Sequence, residues 1–225
     1  MAGYGLSLGL KGRSGKVSDG ASATERVAAY IDGFNLYFGI RKDGRRYLWL
    51  DLEGLVRSLL KPHQQLVAVR YFTARVRNDP TAERHQETYL KALEAHSGVL
   101  EIRHGRFQQK SRMCYSCRSS WHEYEEKETD VSLSVSLLED GVNGLYDMAL
   151  IVSADSDMTP AVRALKRLAP GARVVAALPP HRNSAGLAAV CDAAFPIGIA
   201  KVRQAQLPET VMDGPRPLTR PEHWK

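Results

Sequence analysis

The sequence has few cysteines and no long apolar run, and each absence excludes a class of protein. Three cysteines occur in 225 residues, an odd number with no apolar secretory signal ahead of them, which argues against a disulfide framework. No segment approaches the roughly 20 consecutive apolar residues that span a bilayer. We therefore expect a cytoplasmic protein with no membrane partner.

Acidic residues are outnumbered by basic ones. Lys and Arg together number 31 against 25 Asp and Glu, which gives a formal net charge of +6. A basic surplus favours an anionic partner, of which the phosphate backbone of nucleic acid is the commonest. Hydrophobic residues make up 44% of the chain, enough for an ordinary buried core.

Apolar residues alternate between strand-like runs and helical spacing through residues 26–203. The runs predict strands at 27–31, 66–72, 99–107, 148–152, 174–178 and 194–200. The helical spacing predicts helices at 51–60, 81–96, 126–138, 159–168 and 184–191. Because strands that alternate with helices form right-handed crossovers, we expect an α/β fold with a doubly wound, mainly parallel sheet flanked by helices.

Three segments fall outside this alternation. Residues 1–25 are rich in Gly, Ser, Lys and Arg without a firm apolar run, which is typical of a disordered tail. Residues 108–125 are polar, aromatic and cysteine-bearing, so they are interpreted as an excursion from the domain. Residues 204–225 contain four prolines, which predict an extended C-terminal tail.

Acidic side chains follow two of the predicted strands, at the point where each strand ends. Asp32 follows the first strand, Asp155 and Asp157 follow the strand at 148–152, and Asp130 lies on the helix before that strand. Ligands of an open parallel sheet bind at the carboxyl ends of its strands, so all four acids are expected in one place. Clustered carboxylates repel one another unless a cation lies among them, and Mg²⁺ and Mn²⁺ prefer oxygen ligands. The pattern predicts a divalent-metal site that activates water to attack a phosphodiester.

Each acid also has an ordinary structural interpretation. Asp32 and Gly33 together are typical of a turn, Asp155 can cap the helix that follows it, and Asp130 can be a solvated residue on a helix. Taken singly, these interpretations are the better ones. Taken together, the placement of the acids at strand ends favours the metal site.

Three motifs resemble those of the NYN domain family. They are residues 31–36 (Ile-Asp-Gly-Phe-Asn-Leu), 126–131 (Glu-Lys-Glu-Thr-Asp-Val) and 153–160 (Ser-Ala-Asp-Ser-Asp-Met-Thr-Pro). The resemblance covers about residues 26–200, with the motifs in the family's order and spacing. It implies a PIN-like fold and a metal-dependent ribonuclease with an acidic pocket. The principal carboxylates would then be those of the three motifs, Asp32, Asp130 and Asp155, with Asp157 close by.

Several residues near the motifs are candidates for contacts with RNA. Asn35 matches the family's asparagine after the first aspartate and would bind a metal or a phosphate, while Ser153 would orient a carboxylate or the substrate. Lys127, one turn before the aspartate of a predicted helix, would bind the scissile phosphate or pair with a neighbouring acid. Arg106 and Arg112 are interleaved with aromatic residues, a composition that suits single-stranded RNA.

Cys114 and Cys117 have the spacing of a zinc knuckle. One such pair supplies half of a tetrahedral Zn²⁺ site. His104 and His122 would complete the site, or a second chain would do so in a homodimer. Two loop thiols without a metal are the competing interpretation.

Two other functions fit part of the pattern. A phosphatase of the haloacid dehalogenase type needs a second aspartate two residues after the nucleophile, and Phe34 occupies that position. A non-catalytic RNA-binding or regulatory module on the same fold is the alternative to the ribonuclease. Metal-dependent cleavage of RNA by the purified protein distinguishes the two.

Overall fold

The fold is described by a computed structural model that covers residues 24–77 and 79–225. Within those ranges, residues 106–110 and 121–127 are described by their backbone alone. The tail predicted for residues 1–25 lies almost wholly outside the described residues, and at its end Glu25 already belongs to the first strand.

Seven strands form the central sheet, in the spatial order β4-β3-β2-β1-β5-β6-β7. Six of them are parallel, and β4 pairs antiparallel with β3 at one edge. The α/β fold predicted from the alternation of strands and helices is therefore confirmed. The strands are β1 (Glu25–Asp32), β2 (Gln64–Ala74), β3 (Leu100–Met113), β4 (Ser120–Lys127), β5 (Met148–Val152), β6 (Arg173–Leu178) and β7 (Ala193–Pro196).

Helices cover both faces of this sheet. They are α1 (Gly33–Arg41), α2 (Leu52–Leu59), α3 (Pro80–His96), α4 (Thr129–Val142), α5 (Thr159–Leu168), α6 (Ala185–Val190) and α7 (Ile199–Gln204). Alternate residues of β1 enter two separate cores: Val27 and Ile31 pack with α1, α2, α3 and α7, whereas Ala28 and Tyr30 pack with α4, α5 and α6. A strand buried on both faces must be apolar on both faces, which explains the unbroken apolar run. No helix in the described part of the chain is long and apolar enough to cross a membrane.

The order of the strands reverses at β1. From β1 the chain proceeds outward through β2 and β3, and it later returns to the other side of β1 to form β5, β6 and β7. The connections after β1 and after β5 therefore leave the sheet on opposite faces and open a crevice between the carboxyl ends of these strands. Ile31 pairs with Val152 at this point, so the residues that follow each strand come together there.

The predicted excursion at 108–125 is a β-hairpin made by β3 and β4. Eight residue pairs join the two strands, from Arg106 with Lys127 to Met113 with Ser120. The helix predicted over 126–138 therefore begins later, at Thr129, because residues 126 and 127 pair with β3 instead. Glu128 lies between strand and helix with a φ of 79°, a left-handed conformation that breaks the continuity of the two elements.

The extended tail predicted for 204–225 is wrong, and so is the strand predicted for 194–200, which ends at Pro196 before α7. After α7 the chain forms a small hairpin of β8 (Thr210–Asp213) and β9 (Arg216–Thr219). This C-terminal segment (residues 205–225) packs on the domain, and Trp49 Nε1 donates a hydrogen bond to the carbonyl oxygen of Pro208 at 2.7 Å. Leu207 joins the core. Burial of these apolar side chains outweighs the preference of the prolines for an extended chain.

We expect Leu207→Ala to lower the free energy of unfolding by about 2–5 kcal/mol, the usual cost of truncating a buried leucine, because Leu207 is 4% exposed. Met212→Ala is the matched control: Met212 is 55% exposed, and surface substitutions usually change stability by less than about 0.5 kcal/mol. Chemical denaturation followed by circular dichroism measures both variants. Equal stability of Leu207→Ala and the wild type would show that the segment does not pack on the domain.

Candidate metal centre

Asp32 ends β1 and at the same time caps α1. Its Oδ1 accepts a hydrogen bond from the backbone N–H of Asn35 at 3.0 Å, the usual bond of an N-cap. Its Oδ2 accepts from the hydroxyl of Ser153 at 2.9 Å. The side chain is buried, so these bonds replace the water that the carboxylate has lost.

A helix rather than a simple turn follows Asp32, and the sequence analysis missed it. Leu36 and Ile40, both buried, are four residues apart and are the apolar signal for this helix. The first residue of the helix is glycine because the neighbouring backbone of β2 leaves no room for a side chain there. A Cβ at Gly33 would lie 2.6 Å from the carbonyl oxygen of Phe72, closer than a side chain can approach, so glycine lets α1 begin against β2.

The end of β5 is tied to the end of β1. Ser153 is fully buried, and its Oγ accepts from the backbone N–H of Asp155 at 3.0 Å while donating to Asp32. The side-chain oxygen of Asn35 accepts from the backbone N–H of Ala154 at 3.2 Å. These bonds hold the two strand ends in one arrangement and place Asp155 beside Asp32. Asp155 also caps the short 3-10 helix Ser156–Met158 by accepting from the N–H of Asp157 at 2.9 Å.

Asp130 reaches the same place from the first turn of α4. Asp32, Asp130 and Asp155 each offer a carboxylate oxygen, and these three oxygens lie within 4.8 Å of one another. Asp32 is buried, Asp155 is half-buried and Asp130 is exposed, so the group opens to solvent on one side. We call these three residues the carboxylate cluster. Asp157 is exposed next to the cluster and is not one of the three.

Charge repulsion and burial oppose ionisation of Asp32 and Asp130. Burial raises the pKa of Asp32 above its ordinary value, with the charge of Asp155 acting in the same direction and the hydrogen bonds from Asn35 and Ser153 acting against it. The pKa of Asp130 is also raised, first by the partial desolvation of its carboxylate, although the residue as a whole is exposed, and then by the charges of Asp32, Asp155 and Asp157. A cation among the carboxylates would reverse these effects.

The donors of the carboxylate cluster suit a hard divalent cation. Mg²⁺ binds oxygen at about 2.0–2.1 Å in an octahedral arrangement, which puts neighbouring ligand oxygens roughly 3 Å apart and opposite ones roughly 4 Å apart. The three carboxylate oxygens lie within 4.8 Å of one another, close to that spacing. Mg²⁺ or Mn²⁺ therefore fits the residues present.

The residues predicted to contact RNA have different positions. Ser153 is fully buried, so it orients Asp32 and does not reach a substrate, and Asn35 likewise links the two strand ends. Arg106 and Lys127 pair through their backbones at the base of the β3–β4 hairpin, and Lys127 comes three residues before Asp130, but the side chains of both residues lie outside the described part of the chain. Arg112 is exposed near the tip of the hairpin.

The proposed zinc ligands are only partly brought together. Cys114 and Cys117 lie in the turn of the hairpin, and a hydrogen bond from the Ser119 hydroxyl, with further help from the neighbouring backbone and Cys114, lowers the pKa of Cys117 to about 7. His104 lies on the same strand ten residues before Cys114, about 30 Å away at the rise of a β-strand, so its assignment as a ligand is wrong. The side chain of His122 lies outside the described residues. Zinc held by the two cysteines, completed by His122 or by ligands from a second chain, stays a prediction.

Comparison with known proteins decides the family. The NYN domain model matches residues 26–198. The chain belongs to the NYN family. The NYN match spans all three motifs and every member of the carboxylate cluster, so the resemblance of the motifs is confirmed.

The chain is similar to one curated protein and to one solved structure. The chain is 27% identical over 240 residues to the 6-hydroxy-3-succinoylpyridine 3-monooxygenase HspA of Pseudomonas putida, an alignment that covers 88% of this chain and 75% of the relative. A solved structure of a Vibrio parahaemolyticus protein of unknown function matches with a TM-score of 0.52 and 18% identity, and covers 79% of this chain and 96% of the other. The second likeness shows the fold alone.

We expect Mg²⁺ or Mn²⁺ to raise the melting temperature of the wild-type protein by about 5–10 °C at a concentration near 100 times the dissociation constant. Asp155→Asn should remove most of this shift, because the ion then loses a negative ligand. Differential scanning fluorimetry, with chelator to reverse the shift, measures it. Asp147→Asn is the control, since Asp147 pairs with Arg26 at the opposite end of β5 and should leave the shift intact.

The raised pKa of Asp32 predicts a dependence of stability on pH in chelator. The folded state holds the proton to higher pH than the unfolded chain, so the contribution of Asp32 is complete below an unfolded pKa of about 3.9. It is lost as pH rises through the folded pKa. The wild type should thus lose stability relative to Asp32→Asn in urea titrations as pH rises above the unfolded pKa of about 3.9.

Asp147 supplies the opposite control for this experiment. Hydrogen bonds from Arg26 lower the pKa of Asp147, so its contribution is present above the unfolded pKa and is lost as pH falls through the folded pKa. Relative to Asp147→Asn, the wild type should therefore gain stability as pH rises from about 2 to 5, a window set by the ordinary aspartate pKa near 3.9. Parallel pH profiles for Asp32→Asn and the wild type would contradict the expected effect of burying Asp32.

Proposed function

We propose that the protein hydrolyses RNA phosphodiester bonds with a divalent metal held by Asp32, Asp130 and Asp155. The observation that carries this proposal is the meeting of three carboxylate oxygens within 4.8 Å at the crevice between β1 and β5. Membership of the NYN family, whose fold is nuclease-like, supports the same chemistry.

The chain's own residues have distinct parts in this proposal. Ser153 and Asn35 orient Asp32 and the end of β5, so that two of the carboxylates are fixed before substrate arrives. Asp130, on the exposed side, completes the cluster. Asp157 is exposed next to it and is placed to accept a proton from water or to join the ligands. When bound, a divalent cation supplies positive charge that stabilises the phosphorane-like transition state and acidifies water.

Single-stranded RNA is the proposed substrate. The net charge of +6 favours a polyanion. The β3–β4 hairpin carries Arg106, Lys127 and Arg112, and its turn presents Tyr115, which is 95% exposed. An exposed aromatic ring in the turn of a hairpin that also carries basic residues suits unpaired bases, which stack on aromatic faces while Arg and Lys contact their phosphates.

Asp155→Asn should abolish cleavage while RNA binding remains. The substitution preserves size and one oxygen but removes a charge that holds the metal, whereas phosphate contacts come from Lys and Arg elsewhere. Cleavage of a fluorescent single-stranded RNA with Mn²⁺, and RNA affinity in chelator, measure the two effects. Asp147→Asn should behave as the wild type in both assays.

The outcomes separate the ribonuclease from its alternative. Wild-type cleavage rates in a folded Asp155→Asn protein would show that this carboxylate acts only as a cap of the short helix after it. RNA binding without cleavage by either protein, with each metal, would favour the non-catalytic RNA-binding module. A DNA strand of the same sequence tests whether cleavage is specific for RNA.

The relative from Pseudomonas putida motivates a second candidate. Its printed name describes a monooxygenase, and the likeness extends over 88% of this chain, so we infer that oxidation of a heteroaromatic ring is the competing enzymatic activity. Such a reaction consumes dioxygen and a two-electron reductant. Incubating the protein with 6-hydroxy-3-succinoylpyridine, a nicotinamide reductant and air, followed by mass spectrometry, tests it. Substrate recovered unchanged would remove this candidate.

A further inference from the structure

A cavity of about 680 Å³ adjoins the carboxylate cluster without being part of it. Gly33 and Phe34, which directly follow Asp32, lie on its wall, as do Tyr71 and Thr73 at the carboxyl end of β2. Small-ligand sites commonly occupy about 300–1,000 Å³ and are mostly apolar with a few polar groups. We call this space the aromatic cavity.

Aromatic rings line two sides of the aromatic cavity. Tyr37 and Phe38 project from α1 with their rings 5.3 Å apart, and they are 37% and 45% exposed. On the other side the rings of Tyr89 on α3 and Trp224 in the C-terminal segment are 5.8 Å apart, and His85 also contacts Trp224. Aromatic rings on two elements of one wall, partly exposed on α1 and more buried on α3, suit a flat ring that stacks on one and meets the edge of another.

Two arginines, Arg41 and Arg45, lie on the same wall. Arg41 lies in the last turn of α1, with its guanidinium 5.8 Å from the centre of the Tyr37 ring, and Arg45 follows in the next short helix. Neither arginine forms an ion pair within residues 24–77 and 79–225. Among the described residues that line this cavity, Asp79 is the one acid, and its carboxylate caps α3. The guanidinium groups of Arg41 and Arg45 therefore give this wall a positive charge that can bind an anion.

We propose that the aromatic cavity binds a planar heteroaromatic ring that carries an anionic group. The ring would pack between the rings of α1 and those of α3 and the C-terminal segment, while phosphate or carboxylate contacts Arg41 and Arg45. Arginine recognises both anions through the same planar fork of N–H donors. A nucleotide and a small free heteroaromatic acid share this chemistry. The proposal rests on neither of the activities proposed above.

Binding is measured by isothermal titration calorimetry on the full chain in chelator, so that the metal site takes no part. Uridine and adenosine 5′-monophosphates represent the nucleotide, and nicotinate represents the small acid. Ribose 5-phosphate lacks the heteroaromatic ring, and uridine lacks the anionic group. We expect at least one ring-bearing anion to bind and both single-feature probes to bind at least tenfold more weakly.

Two pairs of variants locate the site. Phe38→Ala should weaken binding about 5- to 100-fold, in line with the loss of one stacking partner, whereas Leu168→Ala, an exposed apolar residue on α5, should leave it unchanged. Arg41→Gln should weaken binding of the anionic probe but not of uridine, whereas Arg163→Gln on α5 should change neither. All four positions are exposed, so the variants are expected to fold.

The results assign the ligand or overturn the site. Tighter binding of the nucleotides than of nicotinate identifies the cavity as a nucleotide site, and the reverse order identifies a site for a free acid. Binding of ribose 5-phosphate as tight as that of the nucleotides would contradict the part played by the aromatic rings. No binding of any probe, or binding that Phe38→Ala leaves intact, would overturn the proposal.

Discussion

The two hydrogen bonds accepted by Asp32 join the two halves of the sheet, and the candidate metal centre depends on them. One oxygen caps α1, which leads towards β2, and the other receives the hydroxyl of Ser153, which follows β5. Because β1 is the strand at which the chain reverses its direction of growth, this carboxylate lies at the crevice that the topology opens. Its burial is unfavourable for the charge, and the hydrogen bonds offset part of that cost.

The structural and functional interpretations of the acids are compatible. Asp32 and Asp155 each cap a helix, as their position before a helix suggests. A carboxylate has two oxygens and about four lone-pair sites, so one accepted N–H leaves room for a cation. Capping then does more than stabilise the helix, because it fixes the rotamer of a side chain whose remaining lone pairs face the other acids. Each of Asp32 and Asp155 can therefore cap a helix and offer an oxygen to a cation at the same time.

The sequence predicted best where burial alone determines structure. The strand at 148–152 was predicted with the bounds that it has, because it is apolar on both faces and is bounded by polar residues. Asp32 and Asp155 followed from strand ends in the same way. Helical spacing predicted a helix from residue 126, but the helix begins at Thr129. Residues 126 and 127 instead pair with β3. That pairing depends on contacts twenty residues apart, which local spacing does not report.

The errors at the C-terminus and in the hairpin have the same physical origin. Prolines near the end of the chain indicated an extended tail, but the tail's apolar residues meet Trp49 and the core around it. His104 was named as a ligand to complete a zinc site with Cys114 and Cys117, but a strand keeps residues ten positions apart far from one another in space. In each case tertiary contacts, rather than composition, decided the outcome.

Gly33 restricts how this protein can change over evolutionary time. A side chain there would collide with the backbone of β2, so any substitution at the first position of α1 must displace β2 or the start of the helix. Tyr37 and Phe38, one turn later on the same helix, face solvent and have no such restriction. One short helix thus combines an end beside the carboxylates that tolerates no side chain with a surface beside the cavity that tolerates several.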